Sequence, residues 1–445
     1  MSDRRNVLQM FEEQSEYMAD RVNSGIEKYR KGNAQIVVKD SGGNGIPNAK
    51  IKVKQKSHEF KFGANLFMLE ELETEEKNEL YKKYFADVFN MATVPFYWKD
   101  LEPTPGNRRF SKDSERIYRR PAIDLCIEYC KEHGIEPREH CLNYDPWIPD
   151  WLADEPVSYI KEKLEERIKI LAERYSKDIP CWEVTNETLF GRLCEKHSDF
   201  YHADDFISWS FDTAEKYLKN NELTINDAHC NVWAHAFNYN RSAYYMQIER
   251  ELHNGTRIDA IGLQFHMFYK KEEEKEKTRL FYDPKHVYEV MDTYARFGKP
   301  LQITEVTIPA YSGEEEDETI QADILEKLYS IWFSHPNMEQ IVYWNLVDGY
   351  AAFAPQGDMT SGENYYFGGL IRFDLTPKPS YYRIKDLIEK KWHTETEIST
   401  DGSGNAIFRG FYGTYDVEIE IGGKSITKEI DFSKKSENVF EIVIG

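Results

Sequence analysis

Positive charge is scarce in this chain. Lysine and arginine number 57 against 78 aspartates and glutamates, a formal net charge of −21. Such a surface repels nucleic acid and anionic bilayers, so neither is expected as a partner. Long apolar runs are missing too: Met1-Ser2-Asp3-Arg4-Arg5 leads into nothing resembling a signal peptide or a membrane span, and the expected setting is cytoplasmic. The six cysteines (Cys126, Cys130, Cys141, Cys181, Cys194 and Cys230) have neither metal-finger nor Cys-x-x-Cys spacing. Cys126 and Cys130 lie one helical turn apart, where two buried thiols are expected. No metal-ligand cluster, glycine-rich phosphate turn or Ser-His-Asp arrangement stands out, so no metal or other cofactor is expected.

What is present is aromatic and periodic. Of the 445 residues 40% are hydrophobic, and Tyr, Phe and Trp reach 29, 25 and 9, enough for one large domain and a small one. Residues 1–33 read as an amphipathic helix (Leu8, Phe11, Met18, Val22, Ile26, Tyr29) closed by Gly32-Asn33. Residues 34–57 alternate around the turn Asp40-Ser41-Gly42-Gly43-Asn44-Gly45 and predict a β-hairpin. From residue 58 to 392, strand-like runs near Phe60, Val88, Ile135, Cys181, Leu223, Ala260, Leu301 and Gln340 alternate with helical segments such as 114–133, 156–175, 203–219, 284–297 and 319–333. Eight strands each followed by a helix predict an α/β fold, a (β/α)8 TIM barrel. Residues 393–445 return to short alternating strands. They are too few for a core of their own, so they are expected to join the hairpin in a small accessory β-sandwich. Charge runs at 270–277 and 314–318 predict solvated loops or helix starts, the second placed to rim an active site.

Two segments carry the chemistry. Trp182-Glu183-Val184-Thr185-Asn186-Glu187 and Leu301-Gln302-Ile303-Thr304-Glu305 each read as a strand ending on a glutamate. In a barrel, strand ends converge on one face, so Glu187 and Glu305 would meet there as a catalytic carboxylate pair suited to splitting a glycosidic bond. Glu183 has the same parity as Glu187 but lies deeper, which predicts a structural role.

These segments occur in order with Arg138-Glu139-His140-Cys141-Leu142, Ile258-Asp259-Ala260-Ile261-Gly262-Leu263-Gln264-Phe265-His266, Trp344 through Asp348-Gly349-Tyr350, and Pro377-Lys378-Pro379-Ser380-Tyr381. Together they resemble glycoside hydrolase family 10, mostly retaining endo-β-1,4-xylanases, over roughly residues 58–392. The resemblance implies Glu187 as acid/base and Glu305 as nucleophile. It implies Asn186 on the sugar 2-hydroxyl, His266 holding the nucleophile, His140 and Gln264 lining the sugar beside the cut, and Trp344 as an apolar wall. Asn226-Asp227 matches a pair that shapes the barrel mouth.

The departures concern substrate. Residues 90–103 lack the family's Glu-Asn pair and following lysine, with Lys99 as the candidate substitute. The family's Trp-His-Ser-Gln is Tyr144-Asp145-Pro146-Trp147, and its Ser-Trp after strand eight is Ala351-Ala352, with Phe353 beside it. Thr307 replaces an aspartate that orients the histidine, so His266 should be harder to protonate. The resulting expectation is a retaining β-glycosidase for xylo- or gluco-configured oligosaccharides or polysaccharides, xylanase-like with non-standard recognition. A carbohydrate-binding barrel without hydrolysis is the alternative.

Overall fold

In the computed structural model, residues 3–189, 198–234 and 239–444 are described; Cys194 lies outside them. The chain opens with a 3-10 turn Asp3–Leu8 and helices Gln9–Glu13 and Ser15–Tyr29. Strand β1 (Lys31–Asp40) follows at once, so Gly32-Asn33 belong to a strand instead of closing the helix. Gly32 serves a close approach: a Cβ there would stand 2.5 Å from the Tyr412 hydroxyl.

The expected hairpin is not formed. The turn exists, with Asp40 N–H donating to Asn44 O and the Asp40 carboxylate accepting from the Gly42 and Asn44 amides. Beyond it the chain crosses to a second sheet. Strand β1 lies between β13 (Asn405–Phe411) and β16 (Val439–Ile444), whereas β2 (Lys50–His58) lies between β12 (Glu395–Ser399) and β14 (Gly413–Ile421), with β15 (Lys424–Phe432) at the edge. The physical reason is burial. Ala34, Ile36 and Val38 on β1 and Ile51 and Val53 on β2 are all within 1% exposure. Side by side they would form one apolar face needing a cover; in opposing sheets they cover each other, with Phe408, Tyr415, Val417 and Phe432 completing the core. Gly45 permits the crossing, since a Cβ there would stand 2.0 Å from Ser403 O. The accessory β-sandwich is therefore present, built from the predicted strands in different pairings.

The barrel is closed and parallel. Its staves are β3 (Lys61–Asn65), β4 (Met91–Pro95), β5 (Glu136–His140), β6 (Cys181–Asn186), β7 (Glu222–Asp227), β8 (Ala260–Leu263) continued by β9 (Phe265–His266), β10 (Leu301–Thr307) and β11 (Met338–Tyr343), with β11 pairing back onto β3. Helices Ile123–His133, Val157–Tyr175, Phe206–Tyr217, Pro284–Tyr294 and Glu315–Ser334 flank it. The segment expected to be helical from 114 starts only at Ile123, because Pro121 disfavours helical geometry at Arg120; residues 114–122 are turns and irregular chain instead.

The charge runs are helix starts, yet not wholly solvated. Arg4 joins them, donating to Glu274 at 2.9 Å and to Asp317 at 2.9 Å, and Glu318 pairs with Arg372 at 2.5 Å. Glu274, Asp317 and Glu318 are buried. No helix among the described residues is long and apolar enough to cross a membrane.

Candidate active site

Strand parity brings Arg138 and His140 of β5 together with Glu183 of β6 inside the barrel, and a register shift between Glu183 and Thr185 turns Asn186 inward as well. The lumen is thus charged at its centre. Arg138 donates to Glu183 Oε2 at 2.5 Å, and His140 Nδ1 contacts Glu183 Oε1 at 3.0 Å. Burial alone would raise Glu183, but His140 and Arg138 hold it below the ordinary carboxylate range. Glu183 therefore acts as the anionic partner of this pair, and its oxygens are spoken for. His140, Cys141 and Glu183 bring donor atoms within 4.8 Å of one another. His140 and Glu183 already bind each other, however, and burial pushes the Cys141 thiol up, away from the thiolate a metal needs.

Above this pair the two predicted acids meet. Glu187 follows β6 with a left-handed backbone (φ 50°), its N–H held by Asn226 O at 3.1 Å. Glu305 does not end its strand; it sits within β10, where the pairing with β11 shifts register between Ile303 and Val306. The irregularity re-aims the side chain. One nitrogen, Gln264 Nε2, donates to Glu305 Oε1 at 2.9 Å and to Glu187 Oε1 at 3.0 Å. The two carboxylates are thereby held across one small gap.

Each acid has further partners. His266 Nε2 contacts Glu305 Oε2 at 3.1 Å while its Nδ1 meets Thr307 Oγ1 at 2.9 Å. Burial lowers His266 to about 4, so the ring is neutral at pH 7. Burial, with the charges of Glu183 and Glu187, raises Glu305. Asn226 Nδ2 spans Glu305 Oε1 at 3.2 Å, Asn186 Oδ1 at 3.0 Å and Glu183 Oε1 at 3.2 Å. Burial also lifts Asp227, beside Glu187, to about 6. On the other acid, the Tyr144 hydroxyl donates to Glu187 Oε2 at 2.5 Å.

All seven predicted site residues lie in this region. Glu187, Glu305, Asn186, Gln264 and His266 form one hydrogen-bonded set, and the Trp344 ring stands edge-on to His140 at 5.2 Å and to His266 at 6.1 Å. Lys99 is elsewhere, on the surface, paired with Asp150 at 2.9 Å. Sequence reasoning missed Tyr144 and Tyr97, whose hydroxyl meets His140 Nε2 at 2.9 Å. It also undervalued Asn226, which touches the Glu305 carboxylate. The signal for Asn226 was available, a polar residue of inward parity at the end of β7; no periodicity marks the loop tyrosines.

A family model, Glycosyl hydrolase family 10, matches residues 52–387. The anti-sigma-I factor RsgI6 of Acetivibrio thermocellus is 26% identical over 91% of this chain and 47% of its own length. Endo-1,4-beta-xylanase 2 of Arabidopsis thaliana is 22% identical over 84% of this chain and 31% of its own. The chain thus spans less than half of either relative. The crystal structure of xylanase 10B from Thermotoga petrophila in complex with xylobiose aligns with a TM-score of 0.59 over 75% of this chain and 95% of that one, at 21% identity, a likeness of fold.

Proposed function

Because the chain belongs to glycosyl hydrolase family 10, we propose that it is a retaining β-glycosidase, acting on xylo- or gluco-configured oligosaccharides with recognition unlike that of a standard xylanase. The observation that carries this reading is Gln264 Nε2, shared by both carboxylates. Its two bonds limit their nearest oxygens to no more than about 5.9 Å apart. A spacing of about 5–5.5 Å suits direct attack by one carboxylate, whereas inversion needs room for a water, about 6.5–9.5 Å.

In this reading Glu187 protonates the glycosidic oxygen as the bond breaks, and Glu305 attacks the anomeric carbon to form a glycosyl-enzyme. Glu187, now ionised, takes a proton from water, which displaces Glu305. Gln264, Asn226 and His266 hold the Glu305 carboxylate in line and supply the hydrogen bonds that support its charge against burial. Asn186, tethered by Asn226 and Gln264, is placed for the sugar 2-hydroxyl, and Trp344 for the sugar's apolar face. A cytoplasmic setting is part of the proposal, in keeping with the free Cys126 and Cys130, which burial keeps as thiols.

The test is hydrolysis of β-1,4-xylo-oligosaccharides, with the anomer of the first product read by NMR. A first product of β configuration supports the proposal; an α product, or unchanged turnover in both Glu187→Gln and Glu305→Gln, removes it. A second reading is carbohydrate binding without turnover; the one observation on its side is that a relative matching 91% of the chain is named as an anti-sigma factor and not as a hydrolase. Binding of xylo-oligosaccharides that are never cleaved would favour it.

A further inference from the structure

The wall beside the catalytic pair contains a buried guanidinium that the protein leaves incompletely satisfied. Arg109 spends three nitrogens on backbone carbonyls (Glu115, Asp100 and Arg120), and Arg30 binds the carbonyls of Phe333, His335 and Met338. These are structural arginines. Arg119 is 5% exposed, yet its one hydrogen bond goes to a side-chain amide, from Nη2 to Asn345 Oδ1 at 2.9 Å. Its Nε and Nη1 have no partner. Among the described residues no carboxylate lies within ion-pair distance of it. Glu363 is the acid whose charge acts on it most, but that carboxylate accepts from Asn345 Nδ2 at 2.9 Å instead. A buried charge left so is strongly unfavourable unless something else completes it.

Its setting is a built one. Arg119 has a left-handed backbone (φ 63°), and its own carbonyl and that of Arg120 are gripped by Arg120 Nη1 and Arg109 Nη2 at 2.9 Å each. Asp100 fixes the Arg120 guanidinium at 2.7 Å, and that group lies over the Tyr97 and Trp147 rings at 4.3 and 4.7 Å. Arg119 lies 5.9 Å from the Phe67 ring, which is itself 5.1 Å from Trp344. Through Asn345, the residue after Trp344, it adjoins the wall of the catalytic gap.

Resting on the glycosidase reading, we propose that Arg119 is a binding residue for the carboxylate of an acidic sugar, a uronic acid unit attached to the oligosaccharide near the bond to be cut. Nε and Nη1 are closed off from solvent, so the sugar's carboxylate reaches them by displacing a covering side chain. It then supplies acceptor oxygens and neutralises the charge, whereas a neutral sugar hydroxyl can accept but leaves the charge unpaired. Aromatic rings on the same wall suit the apolar face of the sugar that carries it.

The experiment compares three substrates on the wild-type chain: a neutral xylo-oligosaccharide, the same oligosaccharide bearing one glucuronic acid, and the methyl ester of that acid. We expect kcat/KM for the acid to exceed that for its ester by about tenfold or more, as charge-assisted bonds imply. In Arg119→Gln the ratio falls towards one; in Arg119→Lys part of it returns. Equal rates for acid and ester in the wild type, or an undiminished ratio in Arg119→Gln, overturn the proposal. If none of the three is cleaved, the glycosidase reading fails by itself. Calorimetric titration with acid and ester then decides the subsite: tighter binding of the acid supports it and equal affinity overturns it.

Discussion

The floor of the candidate site and its wall are built by different means. The floor (Glu187, Glu305, Asn186, Asn226, Gln264 and His266) stands on or directly after barrel strands, and every member is bonded to another. The wall (Phe67, Tyr97, Tyr144, Trp147, Arg119 and Arg120) hangs on the segments after β3, β4 and β5, held by ring contacts and loop carbonyls. Strands fix a few atoms to fractions of an ångström, which bond-making chemistry requires. Loops can be refurnished without disturbing the barrel, so recognition changes there.

The largest effect that would break this division is on the floor. Glu305→Gln should lower turnover by about a thousandfold or more while binding persists, measured by steady-state kinetics and calorimetry. A wall variant that matched it would erase the distinction. Next comes the lumen beneath: Arg138→Met strands the buried Glu183 carboxylate and should cost about 3–5 kcal/mol of stability in urea unfolding. Combining it with Glu183→Leu should recover part of that loss, and no recovery would mean the pair is not the source.

A smaller change is expected where wall meets floor. Tyr144→Phe removes one hydrogen bond to a carboxylate, about 1.5–3 kcal/mol, and should lower kcat by roughly ten- to a hundredfold with the fold intact. An unchanged kcat would confine Tyr144 to recognition.

The smallest effect is in pH. His266 titrates near 6.5 when unfolded and about 4 when folded, so the unfolded chain takes up the proton first. The stability that His266 contributes is whole above pH 6.5 and is lost as pH falls through 4. The wild-type advantage over His266→Gln in urea midpoint should therefore narrow between pH 7 and pH 4; a constant gap would place the ring in another charge state.

The barrel staves were legible because each is an apolar run between turns and helices, and the convergence of strand ends on one face brought Glu187 and Glu305 together; the register shifts in β6 and β10 that aim their side chains have no signature in the sequence. The hairpin misled, because alternation reports which face of a strand is buried and not which strand lies beside it. Thus β1 and β2 carry the predicted pattern in opposite sheets. Lys99 misled for a related reason: a helical turn, Trp98–Leu101, rotates it outward to Asp150.

By itself, then, the sequence determined the barrel, the small β-domain and the two acids, because burial periodicity and strand ends are local properties of the chain. Tertiary structure alone decided that Gln264 bridges both carboxylates, that Tyr144 meets Glu187, and that Arg119 is buried without a carboxylate partner. Those contacts join residues from about 40 to more than 200 positions apart, and only closure of the barrel and the packing of its loops bring them within hydrogen-bonding reach.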